Sequence, residues 1–84
     1  MYWVYILKNK LNGRYYVGHT NNLTRRIEEH NSGRSRYTKR KGIWILVYVE
    51  EFVTRAEAMK RELEIKNRKS RKFIEGLIRN KTVG

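Results

Sequence analysis

Two hydrophobic rhythms alternate along the chain. Residues 2–8, Tyr-Trp-Val-Tyr-Ile-Leu-Lys, and 14–19, Arg-Tyr-Tyr-Val-Gly-His, are rich in β-branched and aromatic side chains and predict two strands. Asn9 to Gly13 between them supplies turn chemistry, with Asn12-Gly13 the strongest dipeptide, so a hairpin is expected. Gly18 inside the second strand predicts close approach of another group. Asn21 or Asn22 can cap a helix that runs to about Asn31, where Ser32-Gly33 stops it. Residues 33–42 form a basic loop bracketed by glycines, and 43–50 are almost continuously apolar, which predicts a central or well-covered strand. Thr54-Arg55-Ala56-Glu57 is a capping box opening a long helix to about Asn67. Ser70 can cap a short last helix carrying Phe73, Ile74, Leu77 and Ile78, with a polar tail from Arg79 expected to fray. The order strand, strand, helix, strand, helix, helix predicts an α+β fold: a small three-stranded antiparallel sheet flanked by about three helices, in one domain over residues 1–84.

Residues opposite each other in an antiparallel pair share a face. A two-residue Asn12-Gly13 turn sets Tyr5 opposite Thr20, and a longer loop pairing Lys8 with Gly13 sets Tyr5 opposite Tyr16. Both registers put Tyr5, Tyr16, Gly18 and Thr20 on one face. On the first helix Leu23 and Ile27 form the inward stripe, and Arg26 and His30 fall beside it. On the long helix the stripe is Ala56, Met59 and Leu63, with Glu62 at its edge.

Charge changes the picture most. Twenty Lys and Arg stand against eight Asp and Glu, a net charge of +12. Such an excess repels itself and points to a polyanionic partner, nucleic acid first. No apolar run approaches the roughly 18 residues of a membrane helix, and the N-terminus has no signal-peptide pattern. Cysteine is absent, and the two histidines are too few for a closed zinc site. A soluble cytoplasmic protein with no membrane partner is expected.

Singly, each notable residue has an ordinary role. Tyr5 and Tyr16 suit a core with hydroxyls at its rim, Arg26 a solvated helix face, and His30 a helix end. His19 suits a strand end, and Glu62 an ion pair with Lys66 one turn on. Their combination and order say more. Trp3-Val4-Tyr5 and Tyr16-Val17-Gly18, then Arg26 in Leu23-Thr24-Arg25-Arg26-Ile27, His30 one turn later and Glu62 in Arg61-Glu62-Leu63-Glu64, resemble the GIY-YIG nuclease superfamily, closest to its small stand-alone bacterial members. The tyrosines match; Trp3 replaces the family's first glycine and valines replace both isoleucines. A further family asparagine is left without a counterpart, Asn67 and Asn80 being the nearest.

The resemblance implies hydrolysis of phosphodiester bonds in DNA, ahead of RNA, by a structure-selective endonuclease of repair or recombination. Tyr5, Tyr16, Arg26, His30 and Glu62 are its implied catalytic residues, and Glu62 its ligand for Mg²⁺ or Mn²⁺. A single carboxylate suits Mg²⁺, which keeps several waters; an arginine fork suits a phosphate oxygen. One tyrosine acts as, or helps position, the general base, Tyr5 favoured as base, with Tyr16 positioning water or phosphate and His30 orienting tyrosine or phosphate. A free tyrosine has a pKa of about 10, so nearby positive charge is expected to lower it. Arg25 and the loop residues Arg34, Arg36, Tyr37, Lys39, Arg40 and Lys41 are expected to track the nucleic-acid backbone, with Tyr37 able to stack on a base. A protein partner supplying target choice fits the lack of a targeting domain. The alternative is a non-catalytic nucleic-acid-binding module of the same fold.

Overall fold

The structure, a computed structural model, describes residues 1–32 and 43–83. Strand β1 (Tyr2–Asn9) pairs antiparallel with β2 (Tyr15–Thr20) on one side and β3 (Trp44–Phe52) on the other, so the sheet order is β2-β1-β3. Helix α1 (Leu23–Asn31) covers one face. Helices α2 (Arg55–Arg68) and α3 (Arg71–Val83) cover the other. The expected fold and element order hold.

Each helix starts where its capping chemistry dictates. The Asn22 side chain accepts from the Arg25 N–H at 3.1 Å. Thr54 and Glu57 form the reciprocal capping box, and Ser70 Oγ accepts from the Phe73 N–H at 3.1 Å. The last helix does not fray at Arg79 but continues to Val83.

The hairpin adopts neither predicted register. Tyr5 pairs with Gly18, and Tyr16 lies opposite Leu7. The reason is Asn9, which is 1% exposed. Its Oδ1 accepts from the Leu11 and Asn12 N–H groups at 2.9 and 3.1 Å. Its own N–H donates to the Arg14 carbonyl and its carbonyl accepts from Gly13 N–H. Gly13 takes a positive φ of 72°, a conformation glycine adopts without steric cost. The slip is an even number of residues from either prediction, so the facing of Tyr5, Tyr16, Gly18 and Thr20 is preserved.

Strand β3 is an edge, and β1 is the central strand, buried from Val4 to Leu7. Ile45 and Leu46 are exposed, so the apolar run 43–50 marks a strand flanking the core and not its centre. A register shift between Ile6 and Leu7 leaves Val47 as an extra residue. This bulge lets Val47 and Tyr48 both pack toward α2 and α3, while Trp44 joins Tyr5 and Leu7 on the α1 side. Asn31, at the end of α1, then clamps Trp44 at both backbone groups, accepting from its N–H at 2.7 Å and donating to its carbonyl at 3.0 Å.

The inward stripe of α2 is Ala58 and Ile65, both essentially buried; Ala56 is exposed, as are Met59 at 45% and Leu63 at 55%. Arg61 sets this rotation. Its guanidinium grips both Glu50 oxygens on β3, Nε and Nη2 each donating at 3.0 Å, and the Tyr48 hydroxyl donates to the same carboxylate. With Arg61 anchored over β3, a turn of about 100° per residue carries Glu62 over β2.

Asn9→Ala removes the two bonds that shape the hairpin turn and leaves two N–H groups to find water. The expected loss is about 1–3 kcal/mol of unfolding free energy, measured by urea denaturation at unchanged m-value.

Candidate active site

On the α1 side of the sheet, the Tyr5 ring is 1% exposed and runs from the middle of β1 toward β2. Its hydroxyl ends above Gly18. A Cβ built on Gly18 would stand 2.6 Å from the Tyr5 oxygen and 2.8 Å from its Cζ, distances no side chain tolerates. The glycine is therefore what lets a core tyrosine place its hydroxyl at the sheet edge.

Tyr16 stacks beside it, ring centroids 6.3 Å apart at 29°, with Trp44 edge-on behind. Helix α1 lays Leu23 and Ile27 against this cluster, and so brings Arg26 and His30 to the tyrosines. Arg26 Nε donates to the Tyr5 oxygen at 3.3 Å, and Arg26 Nη1 reaches Glu29 at 3.1 Å. His30, 1% exposed, sits with Nε2 3.0 Å from the Tyr5 oxygen and its ring edge-on to Tyr16 at 4.6 Å. Arg26 can only donate, so the Tyr5 oxygen accepts from it, while the direction of the bond to His30 Nε2 follows the imidazole tautomer.

Glu62 comes from the other face. Its Oε1 lies 2.5 Å from His19 Nδ1 and its Oε2 2.5 Å from Lys66 Nζ. His19 follows Gly18 in β2, so Glu62 meets the strand edge one residue from the Tyr5 hydroxyl. His19, Met59, Glu62 and Leu63 line a small cavity of about 120 Å³ there. The arrangement straddles the edge strand: Tyr5, Tyr16, Arg26 and His30 on one side, Glu62 and His19 on the other. His19 had only a strand-end role in the sequence; its signal was its position directly after the glycine. Arg25 is exposed on α1, clear of this cluster. Arg34, Arg36, Tyr37, Lys39, Arg40 and Lys41 lie outside the described residues.

Burial governs the protonation of the site. It pushes the Tyr5 phenol up to about 12, more than the Arg26 bond and charge pull it down, and the Tyr16 and Glu62 charges push the same way. This corrects the expectation of a lowered tyrosine: the many cations of the chain act from water, while the Tyr5 oxygen is desolvated. His30 is pushed down to about 4, by burial first and then by the Arg26 cation, against the pull of Glu29. Burial alone would lower Arg26, but its bonds to Tyr5 and Glu29 raise it above its ordinary value. At neutral pH the set is therefore a neutral phenol and a neutral imidazole held beside a fixed cation.

Comparison with known proteins points one way. The GIY-YIG catalytic domain pattern matches residues 1–75. A UPF0213 protein of Staphylococcus haemolyticus is 47% identical over 66 residues, which cover 77% of this chain and 79% of the relative. One of Clostridium perfringens is 48% identical over 67 residues, covering 79% and 71%. The solution NMR structure of the UPF0213 protein BH0048 from Bacillus halodurans has a TM-score of 0.61 to this fold at 40% identity. It covers 96% of this chain and 86% of that one.

Two outcomes test the geometry. Gly18→Ala forces the Tyr5 hydroxyl off His30 and Arg26, at an expected cost of about 1–3 kcal/mol, read by thermal melting with NMR of the Tyr5 ring. His30 also makes stability depend on pH. The unfolded side chain takes a proton near pH 6.5, whereas the folded one stays neutral down to about 4. Its contribution is complete above about pH 6.5 and is lost as the pH falls toward 4, roughly 3 kcal/mol in all. The difference between wild type and His30→Phe, followed by denaturant titration across that range, should show this slope.

Proposed function

This chain belongs to the GIY-YIG family, and on that footing we propose that it is a metal-dependent endonuclease hydrolysing phosphodiester bonds in nucleic acid, DNA ahead of RNA. What carries the reading is the meeting of Tyr5, Tyr16 and Arg26 on one side of Gly18 with Glu62 at the adjoining edge.

In this scheme the scissile phosphate rests at the β2 edge. Arg26 holds a non-bridging oxygen and offsets the charge that grows there. Tyr5 acts as the phenolate, the minor form left once its proton has passed to hydroxide in bulk water. It takes the proton of a water as that water's oxygen attacks phosphorus and the opposite P–O bond breaks, the leaving oxygen gaining a proton from solvent. Tyr16 positions that water. His30 orients Tyr5 and does not receive its proton. Burial holds the phenol well above and the imidazole well below their ordinary values, so that transfer is strongly uphill.

The donor set fits a hydrated divalent ion and not a protein cage. Among the described residues no three His, Cys, Asp or Glu side chains gather to hold a metal, and Mg²⁺ needs only one or two carboxylates with water and phosphate. Glu62 Oε2 would hold it, since its partner Lys66 is 47% exposed and such a one-turn ion pair contributes only about 0.2–0.5 kcal/mol. A bound Mg²⁺ or Mn²⁺ would polarise the phosphate and stabilise the leaving oxygen.

One observation favours the second reading, a binding module without chemistry: both Glu62 oxygens are engaged by His19 and Lys66. Cleavage of branched, single-stranded and duplex DNA with Mg²⁺ or Mn²⁺ decides between them. The wild type should cut, with a rate rising about tenfold per pH unit above neutrality because Tyr5 deprotonates far above it. Tyr5→Phe should lose about 100-fold or more and the pH dependence with it. Cutting unchanged in Glu62→Ala removes the ion-binding role. No cutting on any substrate, with salt-sensitive binding retained, leaves the binding module.

A further inference from the structure

Along the α2–α3 side of β2 runs a second feature, which the site above does not use. Arg14, Lys66, Lys69 and Arg71 surround a groove of about 320 Å³ whose floor includes Tyr15 and Ile74, and none of its described lining residues is acidic. The fold fixes the backbone that carries these cations and, at Arg71 and Lys66, the charged group itself. Arg14 is fixed at its backbone, its N–H donating to Asn12 Oδ1 at 2.9 Å and its carbonyl accepting from Asn9 at 2.8 Å, while its side chain is exposed. Arg71 lies over the Tyr15 ring at 4.9 Å and donates to the Gly13 carbonyl at 3.0 Å, tying α3 to the hairpin; it also pairs with Glu75. Lys69 occupies the left-handed C-cap of α2 with φ 49°. Glycine is the usual residue at such a cap, so a long cation stands where a smaller residue would be less strained.

The groove also joins the site. Lys66 lines it and holds Glu62. Tyr15 is four residues along β2 from His19, about 13 Å at about 3.3 Å per residue, or about four base-pair rises of nucleic acid.

We infer that this groove is a phosphate-backbone subsite that holds the nucleic-acid strand a few nucleotides from the Tyr5–Glu62 edge. The inference rests on the reading of the chain as a nucleic-acid-directed protein. The groove takes backbone phosphates at Arg14 and Lys69, with sugar or base against the apolar floor, and therefore gives affinity without sequence preference.

Fluorescence anisotropy in EDTA reads this apart from cleavage. Labelled single-stranded and duplex DNA of about 20 nucleotides, titrated between about 50 and 200 mM salt, should bind the Arg14→Ala/Lys69→Ala variant about tenfold more weakly; the slope of log affinity on log salt should shrink by about 1.8 on duplex and about 1.4 on single strands. Lys69→Gly separates binding from folding: it should raise the melting temperature by relieving the cap, yet weaken binding. Unchanged affinity and slope in the double variant overturns the subsite. So does loss of binding to phosphatidylglycerol vesicles with DNA binding intact, which assigns the groove to a membrane surface. Cleavage with groove-independent binding sinks this inference alone. Groove-dependent binding without cleavage sinks the nuclease alone.

Discussion

Tyr5 has to be a core residue and an edge hydroxyl at once. Its ring is enclosed by Leu7, Trp44, Leu23 and Ile27, while its oxygen must emerge where β2 ends the sheet. Only the missing side chain at Gly18 opens that route, and only the Asn9 turn sets Gly18 opposite Tyr5. A slip of two residues would keep the same face and still ruin the contact, because Thr20 or Tyr16 would stand where the hydroxyl passes. The rest of the site is assembled around this oxygen: Arg26 and His30 reach it because Leu23 and Ile27 seat α1 on the same ring.

Enclosure has an electrostatic consequence. A phenol in contact with Arg26 would ionise more readily in water, yet here burial outweighs the cation and Tyr5 holds its proton harder than a free tyrosine. The same burial keeps His30 neutral. The fold thus obtains an oriented, uncharged hydrogen-bond network in which the phenolate form of Tyr5 is scarce at neutral pH.

Local pattern made much of this legible. The caps at Asn22, Thr54 and Ser70, the strand residues and the shared face of the two tyrosines are all nearest-neighbour or period-two properties, which a sequence carries openly. The resemblance of the two tyrosine strands, Arg26, His30 and Glu62 to a known family carried the rest. What escaped was set by contacts distant in sequence. The rotation of α2 follows from Arg61 on Glu50, and hydrophobicity alone favoured Met59 and Leu63, which face outward. The bulge at Val47 turns Trp44 to the Tyr5 side, and no periodicity announces it. The tyrosine pKa went the wrong way because composition counts charges without saying which are desolvated.

The distribution of acids gives the basic excess its meaning. Of the eight acidic residues, the carboxylates of Glu29, Glu50, Glu57, Glu62, Glu64 and Glu75 each bond a named partner within the fold. They are spent on positioning: Glu50 sets the turn of α2, Glu57 its start, and Glu29 steadies the Arg26 that holds Tyr5. The cations outnumber these duties, and at Arg14 and Lys69 they stand on backbone fixed by the hairpin and by the end of α2. Such a surplus repels itself and weakens the free protein. On the proposed reading, an anion with regularly spaced charges along the β2 edge would offset that repulsion, so part of what weakens the free protein would drive binding.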